Sequence, residues 1–296
     1  MTEFHLHRDE DLPEGIRRLA GLQLTRALDQ LETSGEALER RIHEARKSLK
    51  RLRALVCLVR AQLGPAQMRW EHRSIGLTAR LLGGMRDAAA LIEGLDRLGA
   101  WSGKTHPRVR AWLEARKSSA AGGLAVEQVV DALRWAQVRL EGWPLRGLGW
   151  EAIGPGLRWV YGRGRRSMCQ AAAEGGAEQF HQWRRYAKYG WYHTQVLESL
   201  WPAMTGVLQA ELDQVGEALG GDHDLAVLGR LLAQWPARRS KAEVLDLARL
   251  IPARQAELQA GALALGARLY AESPRAFERR WGRYWAGWRG EGPSEI

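Results

Sequence analysis

A spaced pattern of basic residues occurs twice in this chain, and this repeat limits the folds the chain can adopt more than any other feature. The segment His43–Lys50 (HEARKSLK) is matched 138 positions later by His181–Lys188 (HQWRRYAK), with the histidine, two adjacent basic residues and a distal lysine in the same spacing. A second pair, Leu82–Asp87 (LGGMRD) and Leu219–Asp224 (LGGDHD), lies at an offset of 137. Two matched segments in the same order, at nearly the same offset, indicate an internal duplication.

Apolar residues recur with helical spacing along the chain, and alternating runs typical of strands are nearly absent. The first half contains periodic segments at 23–32, 42–62, 67–82, 88–98, 109–120 and 126–140. The Gly/Pro-rich segment Glu141–Gly156 predicts a linker between the halves. We therefore expect an all-α fold with two pseudo-twofold-related four-helix bundles, residues 1–145 forming the first repeat and residues 146–296 the second. If the two halves pack face to face, the basic segments would line one channel.

The segment Arg40–Arg53 (RRIHEARKSLKRLR) carries seven Lys/Arg and one His against a single acid, Glu44. At about 100° per residue, six cationic or protonatable side chains share an arc of roughly 160°. They are His43, Arg46, Lys47, Lys50, Arg51 and Arg53. The opposite side is apolar, so one face can anchor in a core while the other presents positive charge. Such a row could meet successive phosphates of an extended polymer.

The whole chain is basic, with a formal net charge of +10, which favours nucleic acid, an anionic membrane surface or a phosphate polymer as partner. Arg69, Arg73 and Arg80 form a further stripe on one side of a helix, near Gly76. The alternative to a polyanion-binding site, for any such run of charges, is a helix face that is simply exposed to solvent. No signal peptide is recognisable, and no run approaches the ~18 apolar residues of a membrane span. We therefore expect a cytoplasmic protein without a membrane span.

His43 and His181 lie in the middle of the basic rows, where a bound phosphate should raise the imidazole pKa. Rival roles are metal ligand, phosphoryl acceptor and member of a polar network, and the surrounding Arg and Lys argue against a metal. Asp87 and Asp224 follow Gly-Gly pairs, and we interpret them as helix N-terminal residues rather than as a catalytic pair. Because no phosphate-binding loop or hydrolase motif occurs, we expect no catalytic residue, no metal and no cofactor.

The segment Arg275–Arg289 interleaves Arg with aromatic residues, a pattern that suits single-stranded nucleic acid. It equally suits an amphipathic helix packed through Phe277, Trp281, Trp285 and Trp288, which is the interpretation we favour. Nucleic-acid binding is thus an alternative to phosphate-polymer binding. Phosphotransfer through His43 or His181 is a less favoured alternative.

The segment Ile42–Arg53 closely resembles the signature of CHAD domains, a family of histidine-bearing all-helical domains. The second-half pattern His181/Arg184/Lys188/Tyr192 is also similar, and the resemblance spans about Gly15 to Arg289, which would make the chain a single CHAD-like domain. It implies two four-helix bundles around a central basic pore. It also implies non-catalytic binding of inorganic polyphosphate and association with polyphosphate-containing granules in bacteria.

Carried onto this sequence, the resemblance implies one set of ligand contacts in each half of the chain. These are His43, Arg46, Lys50, Arg51 and Arg53, with His181, Arg184 and Lys188 opposite. Lys47, Arg185 and the stripe Arg69/Arg73/Arg80 join the predicted site through their position in the charge pattern. The second half departs from the family pattern at Trp191 and Gln195, and Gly206, Ala210 and Glu217 stand at the positions matching the stripe. We therefore expect the first half to bind more strongly.

Overall fold

The computed structural model describes residues 4–33, 37–120, 126–235 and 241–290, and for residues 84–88 and 117–120 it describes the backbone alone. The described residues form eleven α-helices and no strand, so the prediction of an all-α fold is confirmed. The helices are α1 (Leu12–Glu32), α2 (Leu38–Leu58), α3 (Arg60–Leu81), α4 (Gly83–Ser102), α5 (Pro107–Ala120), α6 (Val126–Glu141), α7 (Gly154–Glu174), α8 (Ala177–Val196), α9 (Pro202–Leu232), α10 (Ala242–Leu269) and α11 (Pro274–Arg289).

Local sequence signals account for several helix boundaries. The helix expected over 42–62 ends at Leu58, and α3 begins at Arg60 and bends at Gly64, whose φ of 73° is a left-handed conformation. At the start of α11 the Ser273 hydroxyl accepts a hydrogen bond from the Ala276 N–H at 3.2 Å, and Pro274 occupies the first helical turn. Gly290, at φ 76°, ends the same helix.

Buried apolar residues form two clusters. The larger contains α1, α2, α3, α6, α7, α8 and α11, parts of α9 and α10, and the N-terminal residues Phe4 and Leu6. Its bulkiest fully buried members are Trp183, Trp281 and Trp285. The smaller contains α4, α5, the C-terminal part of α9 and the N-terminal part of α10. Each cluster draws residues from both sides of the 141–156 segment, so the two halves of the chain share their hydrophobic cores. The described part has six helices before that segment and five after it, more than the four per half that we expected.

Two contacts at the centre of the molecule hold α2 against α7 and α8. At Gly156 a Cβ atom would lie 1.8 Å from the carbonyl oxygen of Leu58, so only glycine permits this approach of α7 to α2. Nε2 of His193 lies 2.8 Å from the carbonyl oxygen of Ala54 and therefore carries the proton that it donates. The second of these contacts joins α2 and α8, the helices that carry the repeated basic segments. Across the described part of the chain, none of the helices combines the length and apolar character that a membrane span requires.

Candidate functional site

A cavity of about 1070 Å³ lies between α2, α3 and α4 on one side and α8, α9 and α10 on the other. Among the described residues, ten Arg or Lys and four Asp or Glu line it, which leaves six formal positive charges before any histidine is protonated. The cationic residues are Arg46, Lys47, Lys50, Arg53, Arg80, Arg97, Arg184, Arg185, Lys188 and Arg254. The acidic residues are Glu93, Asp213, Glu217 and Asp224. The cavity is therefore suited to an anion.

Helix α2 forms one wall and has the two faces that its sequence predicts. Its apolar residues are almost fully buried, including Ile42, Ala45, Leu49 and Val56 at 0% exposure. The opposite face lines the cavity with His43, Arg46, Lys47, Lys50 and Arg53. Because the apolar face anchors the helix, the cationic face is held toward the cavity without movement of the backbone.

Arg53 is held by a hydrogen-bonded network that reaches from α3 to α8. One of its terminal nitrogens, Nη2, lies 3.2 Å from Nε2 of His72, and that same ring nitrogen lies 2.8 Å from the hydroxyl of Tyr189 on α8. A guanidinium has only N–H donors, so the imidazole accepts from it and is neutral. Burial, and then the charges of Arg53 and Arg185, lower the pKa of His72 to about 4. A Cβ atom on Gly76 would lie 3.4 Å from Cζ of Arg53, so glycine leaves room for the guanidinium beside α3.

Helix α8 forms the facing wall with His181, Arg184, Arg185 and Lys188. The His181 ring packs against His223 of α9 with a centroid distance of 4.4 Å, and the two rings are tilted by 30°. Burial and the nearby charge of Arg184 lower the pKa of His181. For His223, burial and then His181 and Arg184 lower the pKa to about 4. Both rings are therefore neutral at pH 7. An anion in the cavity would raise the pKa of each imidazole again and favour the protonated forms.

Comparison with known proteins assigns the chain to a family. The family model described as the CHAD domain matches residues 22–233, most of the chain. The chain belongs to the CHAD domain family. The crystal structure of the CHAD domain from the plant Ricinus communis is similar to this one with a TM-score of 0.56 at 20% sequence identity, and the match covers 95% of each chain. That likeness concerns the fold alone. No curated protein matches the chain.

This CHAD domain brings together ten of the thirteen side chains that the sequence predicted for the site. Five are on α2, Arg80 is on α3, and His181, Arg184, Arg185 and Lys188 are on α8. The other three, Arg51, Arg69 and Arg73, do not line the cavity. Arg69 and Arg73 are exposed on α3.

Arg51 is the clearest departure from the predicted cationic arc. It is only 8% exposed, its Cζ lies 5.5 Å from the ring centroid of Phe4, and burial lowers the pKa of its guanidinium. On the helical wheel Arg51 stands at the edge of the arc. The N-terminal segment that carries Phe4 packs on that side of α2, so the arc that reaches the cavity is narrower than the sequence predicts.

Sequence reasoning missed several residues of the site in this CHAD domain. Arg97 on α4 and Arg254 on α10 line the cavity, and His72 and His223 support Arg53 and His181. The second-half counterpart of the Arg86-Asp87 pair, His223-Asp224, is the one signal that could have indicated His223. Arg97 and Arg254 belong to helices without a strong charge pattern, and His72 lies on α3 apart from the Arg69/Arg73/Arg80 stripe, so only tertiary packing brings these three to the site.

The interpretation of Asp224 as a helix N-terminal residue is wrong. Helix α9 continues unbroken from Pro202 to Leu232 through Gly220 and Gly221, so Asp224 lies within it. Its Oδ2 accepts a hydrogen bond from Nη2 of Arg97 at 2.9 Å, which links α9 to α4 across the cavity wall. The side chain of Asp87 lies outside the described residues.

The C-terminal Trp/Arg segment packs into the CHAD domain, as we favoured from its spacing. Phe277, Trp281 and Trp285 on α11 are 6%, 0% and 1% exposed, and Trp288 packs against the same cluster while half-buried. Buried indole rings cannot stack on the bases of a single strand. The arginines at 275, 279 and 283 are exposed on the other side of α11.

Proposed function

We propose that this protein binds inorganic polyphosphate in the cavity between α2 and α8 and does not cleave it. The observation that carries the proposal is that both copies of the repeated basic segment, one on each helix, contribute side chains to the same cavity. A flexible polyanion between the two walls would meet cations from both sides. Charge-assisted contacts of this kind are individually modest and add along a chain.

The aromatic residues around the cavity favour a phosphate polymer over nucleic acid. Tyr189 and Tyr192 line the cavity but are 5% and 4% exposed, and Nζ of Lys188 lies 4.7 Å from the ring centroid of Trp191. Single-stranded nucleic acid gains much of its binding energy from bases stacked on open rings. A ligand without bases needs only the cations that this cavity supplies.

The decisive experiment is calorimetric titration of the wild-type protein and the triple variant R46E/K50E/R53E with polyphosphate of defined length. We expect the variant to lose at least about 100-fold in affinity, or ~2.7 kcal/mol, since three charge-assisted contacts are replaced by repulsion. Binding by the wild-type protein should also weaken as salt is added, because ions screen the contacts. Equal affinities in variant and wild type would refute the proposal.

The matched control reverses three exposed charges away from the cavity, in the variant R275E/R279E/R283E. It changes net charge by the same amount, so a loss confined to the cavity variant excludes an effect of overall charge. Since R53E also removes the contact with His72, the double variant K47E/K50E serves as a second test if the triple variant is less stable. Single-stranded RNA at matched charge is the competitor. If RNA displaces polyphosphate and the control variant loses binding, nucleic-acid binding through α11 replaces the proposal.

Two further measurements test the absence of cleavage and the cellular site. Phosphorus NMR of protein with polyphosphate should show neither free phosphate, nor shorter chains, nor phosphohistidine, and any of these would establish phosphotransfer instead. A fluorescent fusion should collect at polyphosphate-containing granules in bacterial cells and disperse when R46E/K50E/R53E is introduced.

A further inference from the structure

Lys188 differs from the other cations of the α8 wall because carboxylates surround it. Its Nζ lies 3.0 Å from Oδ1 of Asp213 and 3.7 Å from Oε1 of Glu217, both on α9. Two negative charges against one positive charge give this group a formal charge of −1. Within the described part of the chain, Arg184 and Arg185 form no ion pair. The row of uncompensated cations on α8 therefore ends about one helical turn before Lys188.

The two halves of the repeat have opposite chemistry at the positions that decide this difference. Lys188 matches Lys50, and three further positions are matched at offsets of 137 or 138. In order of first and second half, these pairs are Gly76 and Asp213, Arg80 and Glu217, and Arg53 and Trp191. In the first half an arginine replaces one carboxylate, and a glycine at the other position leaves room for a second arginine. The first half is therefore positively charged around Lys50, whereas the second half is negatively charged around Lys188.

The fold also gives Lys188 a defined position beside these acids. A Cβ atom on Gly216 would lie 2.6 Å from Cε of Lys188, so the lysine stem lies directly against the backbone of α9. Glu217 is 75% exposed and Asp213 48% exposed, and ion pairs of such exposed groups contribute little to the stability of a fold. Stability alone is a weak reason for two acids to line an anion-binding cavity.

We propose that Asp213 and Glu217 limit the length of polyphosphate that the cavity engages, because they neutralise Lys188 and repel phosphate from the Lys188 end of the wall. This inference rests on the proposed function. An anion bound along α2 meets cations over about 10 Å of helix from Arg46 to Arg53, at ~1.5 Å per residue. On α8 the corresponding row stops at Arg185. A longer chain that reached Lys188 would meet a net negative charge there.

The test compares the wild-type protein with D213N/E217Q and with a control variant, D96N/E211Q. The control residues also pair with arginines, Asp96 with Arg110 at 3.1 Å and Glu211 with Arg268 at 3.3 Å, but they do not line the cavity. Each of the two variants loses two negative charges, so its net charge rises by two. Calorimetry with long-chain polyphosphate and with tripolyphosphate separates an effect of length from an effect of charge.

We expect D213N/E217Q to bind long-chain polyphosphate about tenfold more tightly than the control, and tripolyphosphate within about twofold of it. Adding K188Q to D213N/E217Q should remove the gain, since the released lysine provides it. Equal affinities of the variant and the control for long chains would overturn the proposal, as would an equal gain for tripolyphosphate. A lower affinity in D213N/E217Q would also overturn it, because the carboxylates would then assist binding. If the wild-type protein binds no polyphosphate, the proposed function itself fails.

Discussion

The stability of this protein should fall between about pH 7 and pH 4 because His193 is held neutral between α2 and α8. Its side chain is fully buried, and Nε2 donates a hydrogen bond to the carbonyl oxygen of Ala54 at 2.8 Å. Its Nδ1 has no hydrogen-bond partner among the described residues, so a second proton would have no acceptor. Burial lowers the pKa of His193 from the usual 6.5 to about 4.

The size and sign of the effect follow from this pKa. As pH falls below 6.5 the unfolded chain binds a proton that the folded chain does not, so the free energy of unfolding decreases. The loss is complete near pH 4, where the folded protein also binds the proton. Since one pKa unit corresponds to about 1.4 kcal/mol, His193 alone should account for a loss of roughly 3 kcal/mol.

The variant H193Q isolates this contribution because glutamine keeps an N–H donor for Ala54 and does not titrate. Chemical denaturation of both proteins at several pH values between about 7.5 and 4 measures the free energy of unfolding. The wild-type protein should lose about 3 kcal/mol more than H193Q over this range. His72 and His223, whose pKa values are also lowered to about 4, are present in both proteins and cancel in the comparison. If the two stability curves run parallel, His193 does not titrate as its burial predicts.

Two further substitutions test contacts that hold the site together. G156A should destabilise the protein by about 3 kcal/mol in urea denaturation, because its Cβ would lie 1.8 Å from the carbonyl oxygen of Leu58. The control G261A, where nothing lies within 4 Å, should be neutral or stabilising by less than about 1 kcal/mol, and similar losses in both variants would contradict the reasoning. Y189F removes the hydrogen bond to His72 and should cost ~1 kcal/mol of stability and about threefold in polyphosphate affinity, since Arg53 is then less firmly held. Unchanged affinity in calorimetry would show that the network does not position Arg53.

The secondary structure and the orientation of α2 could be predicted from the sequence because both depend on local periodicity. The spacing of Ile42, Ala45 and Leu49 indicates a buried face, and all three are buried. Once that face is anchored, His43 and the cations Arg46, Lys47, Lys50 and Arg53 are directed toward the opposite side of the helix. The same reasoning failed for Arg51, because the segment that covers it begins far away in sequence, at Phe4.

Tertiary structure alone decided how the cavity is completed. His72 and Tyr189 are 117 positions apart, and Arg97 and Asp224 are 127 apart, so no local pattern connects them. The continuity of α9 through its Gly-Gly pair was equally unpredictable, since glycines favour a break where packing does not oppose it. The sequence by itself determined the all-helical class, the spacing of the two basic segments and the cationic face of α2, because these follow from residue spacing. Which cations face a shared cavity, and which are neutralised there, depends on contacts between helices distant in sequence, and these form only when the chain has packed.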